Sequence, residues 1–409
     1  MQQSSNLKTQ TPSKYLSQMP FPKNTDREEI LSIVEPIKYT NNKKISLSTT
    51  INDEEKDDIY VFIKDQNVQH SGNVTLLPKS ELDRFLRFNA YTVLMKGGQN
   101  NSILGFVLSI PLPVKCSFPA GCVGNVTCSA VTDVTCSAVT DVTYTKDKVI
   151  THGLTTYLNV NSKLRGHGLA MALIRELTNI GYQNKILCSY QLTAKPLSEK
   201  YVNIFSWYRP LNLARSIGLG FSFPNWNEPH NFQKNRMKYQ NKPSSSHKEY
   251  KIERILEKNK IVALQFYKKI NQDKTFVFYP DIELFTKWIQ EYPSYYVTYK
   301  NNQHDTRTQI VGMFSLNSIF CKMITQLDGV LCMPLFFNSE KEHTIKVLKC
   351  LISIAAEREF DVLYLYEVGD LTEDVLNSVN AIKNKNPSYF SLYNNGLNLT
   401  SKDIYVPLL

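Results

Sequence analysis

Tyr157-Leu-Asn-Val-Asn-Ser-Lys-Leu-Arg-Gly-His-Gly-Leu-Ala-Met-Ala-Leu-Ile-Arg-Glu-Leu177 decides the fold of this chain. Its first four residues close an apolar run, Leu154 to Val160, that reads as a buried strand. A polar loop with two glycines follows. From there Leu169, Ala172, Leu173, Leu177 and Ile180 recur at helical spacing, which predicts an amphipathic helix starting near Leu169. Glycines at a helix start let the backbone approach a ligand, and the free N–H groups with the helix dipole favour phosphate there. The loop is neither a Walker A sequence nor G-x-G-x-x-G. It reads R-x-x-G-x-A over Arg165, Gly166, His167, Gly168, Leu169 and Ala170, a pattern that a tight helix start without a ligand would also satisfy.

Working outward, Ile103 to Ile110 and Ile186 to Leu192 read as further buried strands, and Asp53 to Lys64 as a helix capped by Asp53 with Ile59, Phe62 and Ile63 turned inward. Between Asn225 and Ser246 the chain turns polar and basic and ends in Lys-Pro-Ser-Ser-Ser, which is linker chemistry. Beyond it the same order returns. Ile310-Val-Gly-Met-Phe-Ser-Leu316 echoes Ile103-Leu-Gly-Phe-Val-Leu-Ser109, and a strand over Val330 to Phe337 follows. A helix over Thr344 to Arg358 is expected to bury Ile345, Leu348, Leu351, Ile352 and Ala355, and the strand Asp361 to Tyr366 closes the unit. The halves read as diverged copies of one α/β unit, with chance similarity of short apolar strings as the alternative. The second strand-to-helix junction, Asn338-Ser-Glu-Lys-Glu-His343, is acidic and would repel phosphate, so only the first half is expected to bind a phosphate-bearing molecule. The division expected is an arm over 1–50, a first half over 51–224, a basic segment over 225–246 and a second half over 247–409.

The whole composition agrees with a folded body. The chain has 409 residues, 42% of them hydrophobic, enough to bury a core. With 47 Lys and Arg against 37 Asp and Glu, its net charge of +10 suits an anionic partner without choosing among nucleic acid, a membrane surface and a polyphosphate. Nucleic acid is not expected, because no binding motif accompanies the charge. The first twenty residues lack the apolar core of a secretory signal, and no run is long enough to span a bilayer, so a cytoplasmic chain without a transmembrane segment is expected. Cys116, Cys122, Cys128 and Cys136 lie close together without C-x-x-C spacing or a nearby His, so no metal site is expected. Two of them fall in the tandem copies Val126 to Asp133 and Val134 to Asp141, each VTCSAVTD, read as a lengthened hairpin or loop.

The motif R-x-x-G-x-A after a strand resembles the pyrophosphate loop of acyl-CoA N-acyltransferases, and the whole stretch Tyr157 to Leu177 resembles that of the glycylpeptide N-tetradecanoyltransferase (N-myristoyltransferase) family. Leu104-Gly-Phe-Val-Leu-Ser-Ile-Pro111, Trp207-Tyr-Arg-Pro-Leu-Asn212, Pro20-Phe-Pro-Lys23, Pro36-Ile37, Phe360-Asp-Val362 and Val406-Pro-Leu-Leu409 are similar to further stretches of that family. The resemblance implies an α/β (α+β) fold of two fused acyl-CoA N-acyltransferase-like halves with pseudo-twofold symmetry, with mixed sheets flanked by helices. It implies myristoyl-CoA as co-substrate, no permanent cofactor, N-terminal glycine peptides as acceptors, and a monomer. The loop Arg165 to Ala170 would hold the CoA pyrophosphate, with Tyr15 and Leu16 in the arm also at the acyl-CoA, and an apolar pocket would take the fatty chain. The backbone amides of Tyr157 and Leu158 would form an oxyanion hole, and the carboxylate of the last residue, Leu409, would act as base. On the residues alone, Tyr405-Val-Pro-Leu-Leu409 reads as an ordinary last strand.

Several positions depart from the family. Thr156 replaces an Asn before the oxyanion pair, Cys188 falls near a Thr that helps hold the amine, and Tyr208 replaces a His. The family's acidic peptide-facing stretch gives way to Gln66 to Ser71, and its Gly-Asp-Gly loop to Lys383 to Tyr389. Cys188 as nucleophile and His167 as phosphate ligand stand beside blander readings, a buried thiol and a solvated loop His. Two alternatives to glycine myristoylation therefore stay open: acyl transfer to another amine, and an inactive acyl-CoA or partner-binding homologue.

Overall fold

A computed structural model describes residues 45–71, 73–76, 79–97, 100–117, 147–186, 188–195, 201–221, 229–241, 249–300, 308–323, 328–393 and 397–408. The tandem copies, the arm before residue 45 and Leu409 lie outside these residues. The strands are β1 (Ile45–Ser48), β2 (Asn73–Leu76), β3 (Tyr91–Gly97), β4 (Ser102–Ser117), β5 (Asp147–Val160), β6 (Cys188–Thr193), β7 (Tyr201–Ile204), β8 (Ser206–Pro210), β9 (Tyr250–Arg254), β10 (Phe276–Phe278), β11 (Ser294–Lys300), β12 (Thr308–Ser315), β13 (Asn317–Met323), β14 (Asp328–Met333), β15 (Phe337–Ser339), β16 (Val362–Tyr366), β17 (Ile382–Lys383), β18 (Ser388–Tyr393) and β19 (Ile404–Tyr405). The α-helices are α1 (Asp53–Ser71), α2 (Lys79–Arg87), α3 (Leu169–Gln183), α4 (Leu213–Gly218), α5 (Pro229–Lys238), α6 (Lys260–Ile270), α7 (Ile282–Glu291), α8 (Thr344–Glu357) and α9 (Glu373–Ser378).

Three sheets result. The largest runs β1-β3-β4-β5-β6-β18-β7, with β10 pairing the far end of β4 and β19 pairing β10. The others run β15-β12-β11-β9 and β17-β8-β16-β14-β13-β2. The three sheets and their helices fit the expected α/β class, and strands from both sides of residues 225–246 share the first and third sheets.

The internal duplication is visible in the strand pairing. In the first half β4 and β5 form an antiparallel hairpin, α3 follows, and β6 returns parallel to β5. In the second half β12–β13 and β14–β15 form the hairpin, α8 follows, and β16 returns parallel to β14. The echoed glycines sit where helix crosses strand. A Cβ on Gly105 would come 2.7 Å from Leu173 of α3, and one on Gly312 would come 2.5 Å from Val347 of α8. Both helices also end on a positive-φ residue, Lys185 (62°) and Glu359 (62°).

Some expectations need correcting. α1 continues to Ser71, and its cap is Asn52, not Asp53: Asn52 Oδ1 accepts from Glu55 N at 2.8 Å while Glu55 Oε2 accepts from Asn52 N at 3.0 Å, a capping box. Ile59, Phe62 and Ile63 are buried as expected. β4 and β5 run longer than the apolar strings, because β10 supplies a partner for the Pro-containing end of β4. Ile345 is 39% exposed, since it lies on the solvent face of α8 with Lys346 and Lys349 while Thr344, Val347 and Leu348 face the core. The region 225–246 contains α5, whose Phe232 and following Tyr239 pack in a cluster with Tyr208, Leu213 and Leu219. No helix among the described residues is long and apolar enough to cross a membrane.

Candidate active site

The site grows from the end of β5. Phe106 faces Asn159 and Leu108 faces Thr156, so Val107 alone stands opposite Tyr157 and Leu158. This β-bulge holds Tyr157 at φ 54°, the left-handed region that a bulky residue enters only under constraint. The constraint is packing: the Tyr157 ring lies 5.6 Å from that of Phe85 in α2. Enclosure, with Glu81 and Tyr366 nearby, pushes its phenol well above the ordinary value, so the ring stays neutral.

A bulge also interrupts the second hairpin, but there Ser315 Oγ accepts from the backbone N–H groups of Leu335 (3.1 Å) and Phe336 (3.2 Å). The Val107 side chain carries no acceptor for the amides of Tyr157 and Leu158. A side-chain acceptor thus caps the amides of the second bulge, and the residue opposite the first bulge has none.

Past the bulge, Asn161 Oδ1 caps a short 3₁₀ turn at Lys163 N (3.0 Å), and Gln66 Oε1 of α1 accepts from Ser162 N at 2.6 Å. Gly166 (φ 85°) and Gly168 (φ 80°) then turn the chain into α3, and nothing lies within 4 Å of where their Cβ atoms would be. Gly168 occupies the N-cap of α3 without a side-chain cap, and Arg165, Gly166, His167 and Gly168 are exposed while Leu169 and Ala170 are half-buried. A 15-residue helix therefore presents its N-terminal amides to an open, glycine-lined surface beside an arginine. The second junction has no such glycine. There the Thr344 hydroxyl donates to the carbonyls of Glu340 (3.3 Å) and Lys341 (3.1 Å).

β5 and β6 pair only from His152 to Leu154 against Cys188 to Tyr190, then diverge. Cys188 sits at the start of that pairing, buried and reduced, and borders a cavity under α3. Thr156 lies next to the bulge, between Thr155 and Tyr157, on the same strand. Tyr208 does not join them: it is buried on β8, its ring 5.1 Å from Phe221, among Leu213, Leu219 and Tyr239.

The C-terminal segment threads between the halves. β19 pairs parallel with β10, Ile404 opposite Phe276 and Tyr405 opposite Val277. Tyr405 OH donates to Asp370 Oδ1 at 2.9 Å, and Lys274 Nζ donates to the same oxygen at 2.9 Å while lying 4.3 Å above the Tyr405 ring. Leu408, buried, lines a cavity of about 40 Å³ with Leu335, Phe336 and Tyr366. Tyr366 is also one of the groups acting on the Tyr157 phenol, which brings the tail into the neighbourhood of the first bulge. Leu409, Tyr15 and Leu16 lie outside the described residues.

Sequence reading missed Glu81, Lys274 and Asp370. Glu81 is buried, accepts from Tyr292 OH (3.0 Å) and Arg84 (2.7 Å), and is pushed above the ordinary carboxylate value chiefly by burial. Its local signals are its place in the first turn of α2 and Arg84 one turn on; the other partners, Tyr292 and Asn317, are more than 200 residues away.

No family model and no curated protein matches the chain in sequence. In structure it is similar to Saccharomyces cerevisiae N-myristoyltransferase with bound myristoyl-CoA. One such structure has TM-score 0.72 and 12% identity over 95% of this chain and 93% of that one. A second has TM-score 0.70 and 11% identity over 95% and 89%. The chain has the N-myristoyltransferase fold.

Proposed function

We propose that this protein transfers a myristoyl group from myristoyl-CoA to the N-terminal glycine amine of peptides and proteins. The observation that carries the reading is the coincidence, on one strand-helix unit, of the left-handed bulge at Tyr157 and Leu158, opposite a side chain without an acceptor, with the uncapped, glycine-entered start of α3. The first suits a thioester oxygen and the second a pyrophosphate, and the second half offers neither. The same fold in a myristoyl-CoA complex of another protein supports the choice of donor.

In this reading the pyrophosphate sits on the amides from Gly166 to Ala170, beside Arg165. The thioester carbonyl oxygen meets the amides of Tyr157 and Leu158, which stabilise the charge that develops as the neutral glycine amine attacks. The C–N bond forms, the C–S bond breaks, and the amine proton passes to the Leu409 carboxylate and on to the departing CoA thiolate. An α-ammonium has a pKa near 8 and a free α-carboxyl about 3.5, so the base works only where desolvation brings the two together. The burial of Ile404, Val406 and Leu408 supplies such surroundings up to the penultimate residue. Attack by the amine itself leaves Cys188 without a nucleophilic role. The protein would act as a cytoplasmic monomer on chains from which Met has been removed.

The test is incubation of purified protein with labelled myristoyl-CoA and Gly-initial peptides. Transfer to the peptide amine is expected; tight acyl-CoA binding without transfer to any of them rejects the activity in favour of a binding protein. A panel of other amines reads the alternative acceptor, which the separate packing of Tyr208 favours, since the peptide side is where this chain departs most from the family.

A further inference from the structure

The cavity under α3 has a lining that a plain hydrocarbon chain would not require. It lies where β5 and β6 diverge, roofed by the second half of α3, and measures about 60 Å³. Order along the structure places it in line with the donor. From the α3 N-terminus, the glycine loop comes first, the Tyr157 bulge next, and the cavity last, beneath Ile174 to Tyr182 and beside Thr155 and Gly153. Thr155 is two residues beyond Tyr157, roughly 7 Å along an extended strand, so a chain leaving the thioester reaches it within a few carbons.

Seven of its lining residues carry hydroxyl or amide groups: Ser109, Thr155, Thr178, Tyr182, Ser189, Gln191 and Tyr393. Three of these are not satisfied within the fold. Thr178 donates to Ile174 O (2.8 Å) and Gln191 to Tyr393 OH (2.6 Å), but the hydroxyls of Ser109, Thr155 and Ser189 make no hydrogen bond among the described residues. Ser109 is only 7% exposed. Ser391, opposite Gln191 in register, is fully buried with an unpartnered hydroxyl as well. Gly153 makes the room: a Cβ there would come 2.5 Å from Ser109 Oγ and 3.5 Å from Ser189 Cβ. Covering unpartnered hydroxyls with methylene groups leaves them desolvated and unbonded, whereas a ligand hydroxyl would bond them.

We propose that this cavity receives an acyl chain bearing a hydroxyl group, and that Ser109 and Ser189 select it over the saturated chain of equal length. The inference rests on the acyl-CoA reading above and specifies its donor. It replaces the expected apolar pocket with one of mixed lining.

Calorimetric titration of the full chain with tetradecanoyl-CoA, and with positional isomers of hydroxytetradecanoyl-CoA, tests it. At least one isomer should bind about 10-fold tighter than the saturated donor, a difference of about 1.4 kcal/mol. S109A should erase most of that preference and strengthen binding of the saturated donor. Equal or weaker binding by every isomer overturns the proposal, as does a preference that survives in both S109A and S189A. Peptide transfer measured beside the titration separates the two readings. A preference without transfer keeps the cavity assignment and removes the myristoyltransferase; transfer without a preference does the reverse; binding by neither donor removes both.

Discussion

Tyr157 combines a left-handed backbone with a large side chain, and the two contributions can be separated. Left-handed φ costs a non-glycine residue about 1–2 kcal/mol, which glycine does not incur. Both Tyr157→Ala and Tyr157→Gly lose the ring packed on Phe85, but only alanine retains the backbone cost. Denaturant midpoints should therefore rank Tyr157→Gly above Tyr157→Ala by about 1 kcal/mol, the reverse of the usual order in a strand. A ranking with alanine higher would mean the bulge relaxes once the ring is gone. His152 offers a second residue-scale test. It is fully buried against Phe276, its Nδ1 3.1 Å from Ile150 O, and burial lowers its pKa from the ordinary 6.5 to about 4. The unfolded chain therefore binds a proton first as pH falls, so stability drops between pH 6.5 and about 4 and gains nothing from this group above 6.5. That window should carry about 3 kcal/mol, and His152→Phe should flatten it in a pH series of urea melts. An unchanged acid limb in the variant would show that other groups dominate.

At the scale of elements, helix-on-strand contact is set by two glycines. Gly312 faces Val347, a stiff β-branched side chain within 3.1 Å at three atoms, while Gly105 faces the movable tip of Leu173. Gly312→Ala should cost about 2–3 kcal/mol and Gly105→Ala about 1 kcal/mol or less, read from chemical denaturation. Similar losses at both would mean that α8 shifts as readily as α3. The same two glycines were the legible part of the duplication, because a residue without Cβ is demanded wherever a helix lies close over a strand. The extent of β4 was not legible. Pro111 and Pro113 read as the end of a strand, yet the strand continues because β10, more than 150 residues later, pairs with its far end. The true cap of α1 escaped notice for a smaller reason: Asn52 and Asp53 are both good cap residues, and only the reciprocal bond to Glu55 chooses between them.

Across the whole molecule, the tail is fixed by groups from two separate parts of the chain, 274–277 and Asp370. Lys274 and Asp370 hold Tyr405, and β10 holds the backbone of β19. If the chain end is the base and the first half holds the acyl-CoA, Asp370→Asn should lower kcat at least 10-fold through misplacement of the tail, while the acyl-CoA dissociation constant stays within about 2-fold. Loss of acyl-CoA affinity in parallel with kcat would instead indicate general unfolding of the interface between halves. By itself the sequence determined the strand, glycine loop and helix around Arg165, the repetition of that unit, and which copy lacks the glycines. These rest on periodicity and on glycine, properties that neighbouring residues express together. Only the tertiary structure decided that Val107 stands opposite one bulge where Ser315 caps the other, that hydroxyls from Ser109 and Ser189 converge under α3, and that Lys274, Asp370 and Tyr405 meet. Those arrangements depend on strand register and on contacts between residues far apart in the chain, where no local pattern specifies the partner.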